Sequence, residues 1–265
     1  MALRIVWKDF DPRVQRIHLV YGTIGPVLNR YEGRDQVTHL YTLYPETVWT
    51  IITKGFDPLI SAVNKIARGE ENFTEDEERI LKDLEVIHIP HDAYEVMSEI
   101  RRSVKEGWAK VERSFDEIVE KVTGRPPSGE VFIFPAFTFK RWDGSAYPPD
   151  VMVLAAEPRK GKVAITPVVH EILHLVLERD EKWRKILKRV SERWDIPAEE
   201  AFVQTITNLI LWRAGFAEEM FEQYYDPDWE EMKGLEDKMR EIVREWWLNG
   251  GDLRRMIEGR LGQKR

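Results

Sequence analysis

Apolar residues recurring every three or four positions mark most of this chain as helical. From Asp92 to about Val122 the period is held by Val96, Ile100, Val104, Trp108, Val111, Phe115, Ile118 and Val122, which predicts one long helix with Gly107 as its weak point. Asp57-Pro58 opens a shorter helix that reaches Ala67 and is ended by Gly69. Thr74, with Glu77 three residues on, is a capping box for a helix carrying Ile80, Leu81, Leu84 and Ile87. Nearer the start, Val14, Ile17, Leu19, Val20, Ile24 and Val27 are helically spaced between Asp11 and Arg30. Gly22, Gly25 and Pro26 interrupt them, so one helix and an irregular link are expected. Leu3 to Trp7 alternates weakly, as an edge strand does, and Val37 to Thr53 is read as holding either a short strand or, from Glu46 on, a helix.

Thr123-Gly124-Arg125-Pro126-Pro127-Ser128-Gly129 reads as a linker. It separates a mostly helical N-terminal region, residues 1–123, from a region at 130–265 in which the strand signals and the reactive residues occur. Glu130 to Pro135 and Asp150 to Ala156 read as strands, with Lys162 to Ile165 a short third candidate and an aromatic-rich connection at 136–149. Helices follow at 166–177, in the charged segment from Asp180 to Val190, at 195–210, and from Asp228 to Asn249. Gly250-Gly251 ends the last of these, and Asp252 caps a short final one. The fold class expected is α+β, predominantly helical with a small sheet.

With 265 residues the chain can bury a sizeable core, as one large domain or two small ones. Cysteine is absent, which removes disulfides and thiolate ligands and fits a reducing compartment, so a cytoplasmic location is expected. Lys and Arg number 40 against 47 Asp and Glu, a balance that argues for neither nucleic acid nor an anionic membrane as partner. No stretch is apolar and long enough to span a bilayer. Charged residues make up 33% of the chain, much of it mixed-sign on helices, a composition associated with heat-adapted proteins. Ten tryptophans are read mainly as core and helix-interface residues.

The chemistry concentrates in one helix, Thr166-Pro167-Val168-Val169-His170-Glu171-Ile172-Leu173-His174-Leu175-Val176-Leu177-Glu178. His170 and His174 stand one turn apart on one face, so both imidazoles can reach a single metal ion, while Glu171 is rotated off that face. Thr166 is placed to cap the helix and Pro167 suits its first turn. Val169, Leu173, Val176 and Leu177 make it a buried helix, so its histidines face either a metal site or hydrogen-bonded partners in the core. His88 and His91, on either side of Pro90, are a weaker candidate pair. The helix at 195–210, apolar at Phe202, Ile206, Leu209 and Ile210, carries two carboxylates in its first turn, Glu199 and Glu200.

This His-Glu-x-x-His helix followed by a Glu-bearing helix resembles the Glu-zincin zinc metallopeptidases, over about Val131 to Leu211. The resemblance implies a zincin-like fold with the small sheet beside the histidine helix. It also implies one zinc ion held by His170, His174 and a downstream Glu. In that family the ligand Glu is commonly followed by Gly or Ala, which favours Glu200, beside Ala201, and leaves Glu199 as a solvated carboxylate suited to a helix N-terminus. The Gly-x-x-His continuation of the three-histidine families is absent after His174.

The activity implied is hydrolysis of peptide bonds in a peptide or protein substrate by a metal-activated water, with Glu171 as general base. Tyr147, Tyr224, Tyr225 and His91 are candidates for stabilising the oxyanion. The strand from Val151 to Ala155, or its neighbour, is a candidate platform for backbone pairing with substrate, and a central core strand is the other reading. The alternatives are a zinc amidase acting on a small substrate, and a protein whose zinc is structural or degenerate and serves protein interaction, in which four protein ligands would close the ion.

Overall fold

The computed structural model describes residues 2–30, 42–137, 144–156, 165–221 and 232–262. Its elements are β1 (Leu3–Trp7), α1 (Pro12–Arg30), α2 (Pro45–Lys54), α3 (Asp57–Arg68), α4 (Glu75–Asp83), α5 (Ala93–Thr123), β2 (Gly129–Phe137), β3 (Ser145–Tyr147), β4 (Val151–Ala156), α6 (Thr166–Glu178), α7 (Glu181–Trp194), α8 (Ala198–Arg213), α9 (Lys233–Asn249) and α10 (Leu253–Ile257). The α+β class is therefore observed, with helices dominating one small sheet. Among the described residues no helix is long and apolar enough to cross a membrane.

Contacts divide the chain into two units, and the division does not fall at the 123–129 linker. One unit holds Met1–Arg4, Glu106–Gly129 and Ile165–Arg265; the other holds Ile5–Lys105 and Glu130–Ala164. The strands at 130–156 thus belong with the N-terminal helices and not with the histidine helix, and α5 contributes its residues through Lys105 to one unit and the remainder to the other.

In the second unit the sheet runs β1-β2-β4-β3. Strand β2 pairs parallel with β4, Phe132 opposite Val151 and Phe134 opposite Val153, and β3 pairs antiparallel with β4, Ser145 opposite Val153. β4 therefore has both edges taken, which overturns its reading as a platform for an extended substrate. Its run Val151-Met152-Val153-Leu154 is buried throughout, the continuous apolar pattern of a strand covered on both faces. The expected edge strand, β1, does lie at an edge. The third strand candidate, Lys162 to Ile165, falls largely outside the described residues.

The core of this unit gathers Val14, Ile17 and Val20 of α1 with Leu59, Val63 and Ile66 of α3 and Val151 and Val153 of β4. α1 continues to Arg30 without the break expected at Gly22, Gly25 and Pro26. Gln15 is fully buried, and its amide clasps the end of β2 from both sides: Nε2 donates to the Phe137 carbonyl at 2.9 Å, and the Phe137 N–H donates to Oε1 at 2.8 Å. His18 lies 3.2 Å from the Tyr147 hydroxyl, and burial pushes its pKa down to about 4, so it stays neutral.

The capping box at α4 forms as its spacing requires, Thr74 accepting from the Glu77 N–H and Glu77 accepting from the Thr74 N–H at 2.6 Å. Glu77 is buried and also accepts from Ser61 at 2.5 Å and Lys65 at 2.7 Å.

The first unit is built around α8. Ala198, Ala201, Phe202, Val203 and every residue from Thr205 to Leu211 are buried, as befits a helix packed by α6, α7 and α9 together. Trp183 of α7 stacks on Phe202 with ring centroids 4.4 Å apart and donates its indole N–H to the Val122 carbonyl at 3.0 Å. Asp180 caps α7, accepting from the Lys182 and Trp183 N–H groups, and Arg254 donates to its other oxygen at 3.0 Å, fastening α10 to the start of α7. Asp252 caps α10, as expected.

Burial alone would raise the Glu77 pKa, but its bonds to Lys65, Ser61 and the Thr74 N–H outweigh that and hold it below the usual carboxylate value. A carboxylate with a depressed folded pKa stabilises the fold above the unfolded value of about 4.3, and that contribution disappears as pH falls through the folded value. Glu77→Gln is expected to cost about 1–3 kcal/mol at neutral pH, the scale of hydrogen bonds to a charged group. In urea melts the difference from wild type should be constant from pH 8 to pH 6 and close below about pH 4. A gap independent of pH would contradict the charged role.

Candidate metal centre

Two helices of the first unit supply the centre. Thr166 lies inside the first turn of α6 instead of capping it. The cap position is Ile165, whose carbonyl accepts from the Val169 N–H at 3.1 Å, and no side chain caps this end. Asp195, at φ 54°, closes α7, so α8 starts three residues later than the sequence suggested. Pro197 has no side-chain oxygen to offer, and the Ser191 hydroxyl accepts from the Ala198 N–H at 2.9 Å in its place. That turn presents Glu199 and Glu200 at the positive end of the helix dipole, while the buried methyls of Ala198 and Ala201 keep its inner face small.

His170, His174 and Glu200 converge, and among the described residues they are the one group of three donors placed to hold a metal. The two Nε2 atoms are 3.1 Å apart, and Glu200 sets one oxygen 3.4 Å from His170 Nε2 and the other 3.4 Å from His174 Nε2. For nitrogen and oxygen donors about 2.0–2.1 Å from an ion in tetrahedral array, the edges between donors are about 3.3–3.4 Å. With one donor atom from each residue the three lie within 4.8 Å of one another, close enough for small shifts to gather them around one ion. Their side chains are largely buried, at 17% and 13% exposure for the histidines and 37% for Glu200, so the opening lies on the carboxylate side.

Glu199 is not the solvated bystander expected from the sequence. Its Oε1 lies 2.8 Å from His174 Nδ1. A carboxylate can only accept, so Nδ1 carries a proton, and Nε2 is the atom that His174 turns toward His170 and Glu200. This is the carboxylate support commonly found behind metal-ligating histidines, which fixes the tautomer and raises the basicity of the donor nitrogen. Neighbouring residues on one helix turn thus divide the work, Glu200 facing the centre and Glu199 holding His174 from behind. The sequence carried one signal of it: two adjacent carboxylates at a helix start, rotated about 100° from each other, can reach both sides of one imidazole.

The electrostatics agree with a site for a cation. Burial opposes charge on His174, but Glu200, Glu199 and Glu171 together outweigh it and raise its pKa well above the usual value. Burial likewise opposes ionisation of Glu200, yet the two histidines hold its pKa far below the carboxylate range. Without a metal, a proton supplies the positive charge between these groups. Glu171 is half-buried, is not one of the three converging donors, and makes its negative charge felt at His174.

The other candidates do not join the centre. Tyr147 is fully buried in the second unit with its hydroxyl against His18, and His88 and His91 are exposed in that unit without a third ligand among the described residues. Tyr224 and Tyr225 lie outside the described residues. No family model, curated protein or solved structure matches this chain.

A divalent ion must displace the His174 proton, so metal affinity is expected to fall about tenfold per pH unit below the raised pKa of that histidine, with proton release on binding. Glu199→Gln should weaken binding by about 10–100-fold through loss of His174 support, whereas Glu200→Gln and His170→Ala should remove most of it. Competition with a chromophoric chelator measures all of these. Wild-type affinity in Glu199→Gln would show that the 2.8 Å contact does not matter to the site.

Proposed function

We propose that this protein is a zinc-dependent hydrolase of peptide bonds, with a zincin-like centre in which Glu171 is the general base. The observation that carries the reading is the donor set itself: two imidazole nitrogens and one carboxylate at single-ion spacing, with the neighbouring carboxylate engaged on the back of His174. Imidazole and carboxylate donors without thiolate suit zinc, and three protein ligands leave the fourth position that a hydrolytic site needs. A zinc ion that only stapled α6 to α8 would call for four protein ligands, and among the described residues three converge.

When bound, zinc acidifies a water molecule and polarises the carbonyl to be attacked. The roles of the chain's own groups follow from their places. His170, His174 and Glu200 fix the position of the ion, and Glu199 keeps His174 in the tautomer that directs Nε2 at it. Glu171, one residue from His170 and on the same helix, takes a proton from the attacking water and returns it to the leaving nitrogen.

Glu171→Gln separates this chemistry from mere metal binding. The variant should keep its zinc and its fold and lose hydrolysis by about 10² or more, the contribution expected of a general base. The assay presents zinc-loaded wild type and variant with a mixed-sequence peptide library and reads new termini by mass spectrometry. Equal cleavage by both proteins, or none by either, would count against the proposed function.

A further inference from the structure

In the second unit, a separate cavity of about 310 Å³ is lined by Trp7, Ser98, Arg101, Arg102 and Lys105. The four residues from α5 stand at i, i+3, i+4 and i+7, one face of the helix, and Trp7 comes from the edge strand β1. In a chain of formal charge −7, three of the five lining residues are cations and none is a carboxylate. Arg101 is tied to Asp9, while Arg102 and Lys105 have no ion-pair partner among the described residues. Arg101 and Lys105 are a like-charge pair one helical turn apart, and Asp9 offsets the first of them and not the second.

The other large cavity of this unit, about 300 Å³, lacks that character, because its cations are already committed: Lys65 pairs with Glu77 and Arg68 with Asp150.

From these observations we propose that the Trp7–Arg102–Lys105 cavity binds a small phosphate monoester carrying a planar ring, of the nucleoside monophosphate class. Guanidinium groups meet a phosphate with paired, charge-assisted hydrogen bonds, Lys105 adds a point charge, and the Ser98 hydroxyl is a further donor on the same face. Trp7 supplies the flat apolar surface on which a ring stacks, a contribution that bare phosphate cannot use. The volume lies at the lower end of ligand-binding cavities, which sets the size at one planar base, one sugar and one phosphate. The site is independent of the metal centre and uses none of its residues.

Calorimetric titration of the full chain with adenosine monophosphate, inorganic phosphate and adenosine, at about 50 mM salt where exposed charges are weakly screened, tests the assignment. The monophosphate should bind saturably, with phosphate and adenosine each at least about tenfold weaker. Arg102→Gln combined with Lys105→Gln, both exposed positions, should lower affinity for monophosphate and phosphate by about tenfold or more. Trp7→Leu should bring the monophosphate down to the level of phosphate and leave phosphate unchanged. Absence of saturable binding, or binding that survives the double substitution, overturns the site. Equal affinity for phosphate and monophosphate overturns the ring-bearing ligand.

Discussion

Two imidazole nitrogens 3.1 Å apart and facing a carboxylate need a proton or a metal ion between them, and the first unit is arranged around that need. In the metal-free protein the charge is a proton, which is why His174 is so basic despite its burial and Glu200 so acidic. Such a cluster is costly to hold together, and the surrounding helices hold it. α8 is buried on nearly every face, with its small residues Ala198 and Ala201 on the turn that carries the two carboxylates. α6 is buried along its apolar residues, and its two histidines meet each other and the carboxylates of that turn. Rigidity in the scaffold thus becomes preorganisation in the centre, so a cation entering it does not have to gather its ligands.

Adjacent carboxylates with different tasks are the most specific feature of the arrangement. One residue of helical rotation separates a group facing the ion position from a group behind the imidazole. Exchanging the two tasks would require turning α8 about its axis, which the packing of Phe202, Ile206 and Leu209 prevents. The register of a hydrophobic helix therefore determines which carboxylate faces the centre.

Much of this was legible in the sequence, for physical reasons that differ by element. The histidine pair and Glu200 could be read because helical spacing is a strong constraint and a buried helix leaves polar side chains few uses. Capping chemistry located α4 and α10 at Thr74 and Asp252, and apolar periodicity gave the whole of α5. What escaped depended on contacts far apart in the chain. The role of Glu199 exists only because Ser191 and the turn at Asp195 set where α8 begins. α1 runs on past its glycines and Pro26, against their local propensity. β4 was open to two readings, substrate platform and core strand, and its unalternating apolar run was the sign of the second. The grouping of residues 130–164 with the N-terminal helices has no local signal, since the linker at 123–129 is real as a turn and does not separate the units.

The most direct measurement is a crystal structure of the zinc-soaked protein with anomalous diffraction collected at the zinc edge. The account predicts a single strong peak between His170 Nε2, His174 Nε2 and the Glu200 carboxylate. Glu199 should lie outside the shell, still bonded to His174 Nδ1, and one coordination position should be left to water. A peak elsewhere, Glu199 in place of Glu200, or a fourth protein side chain closing the shell would contradict it.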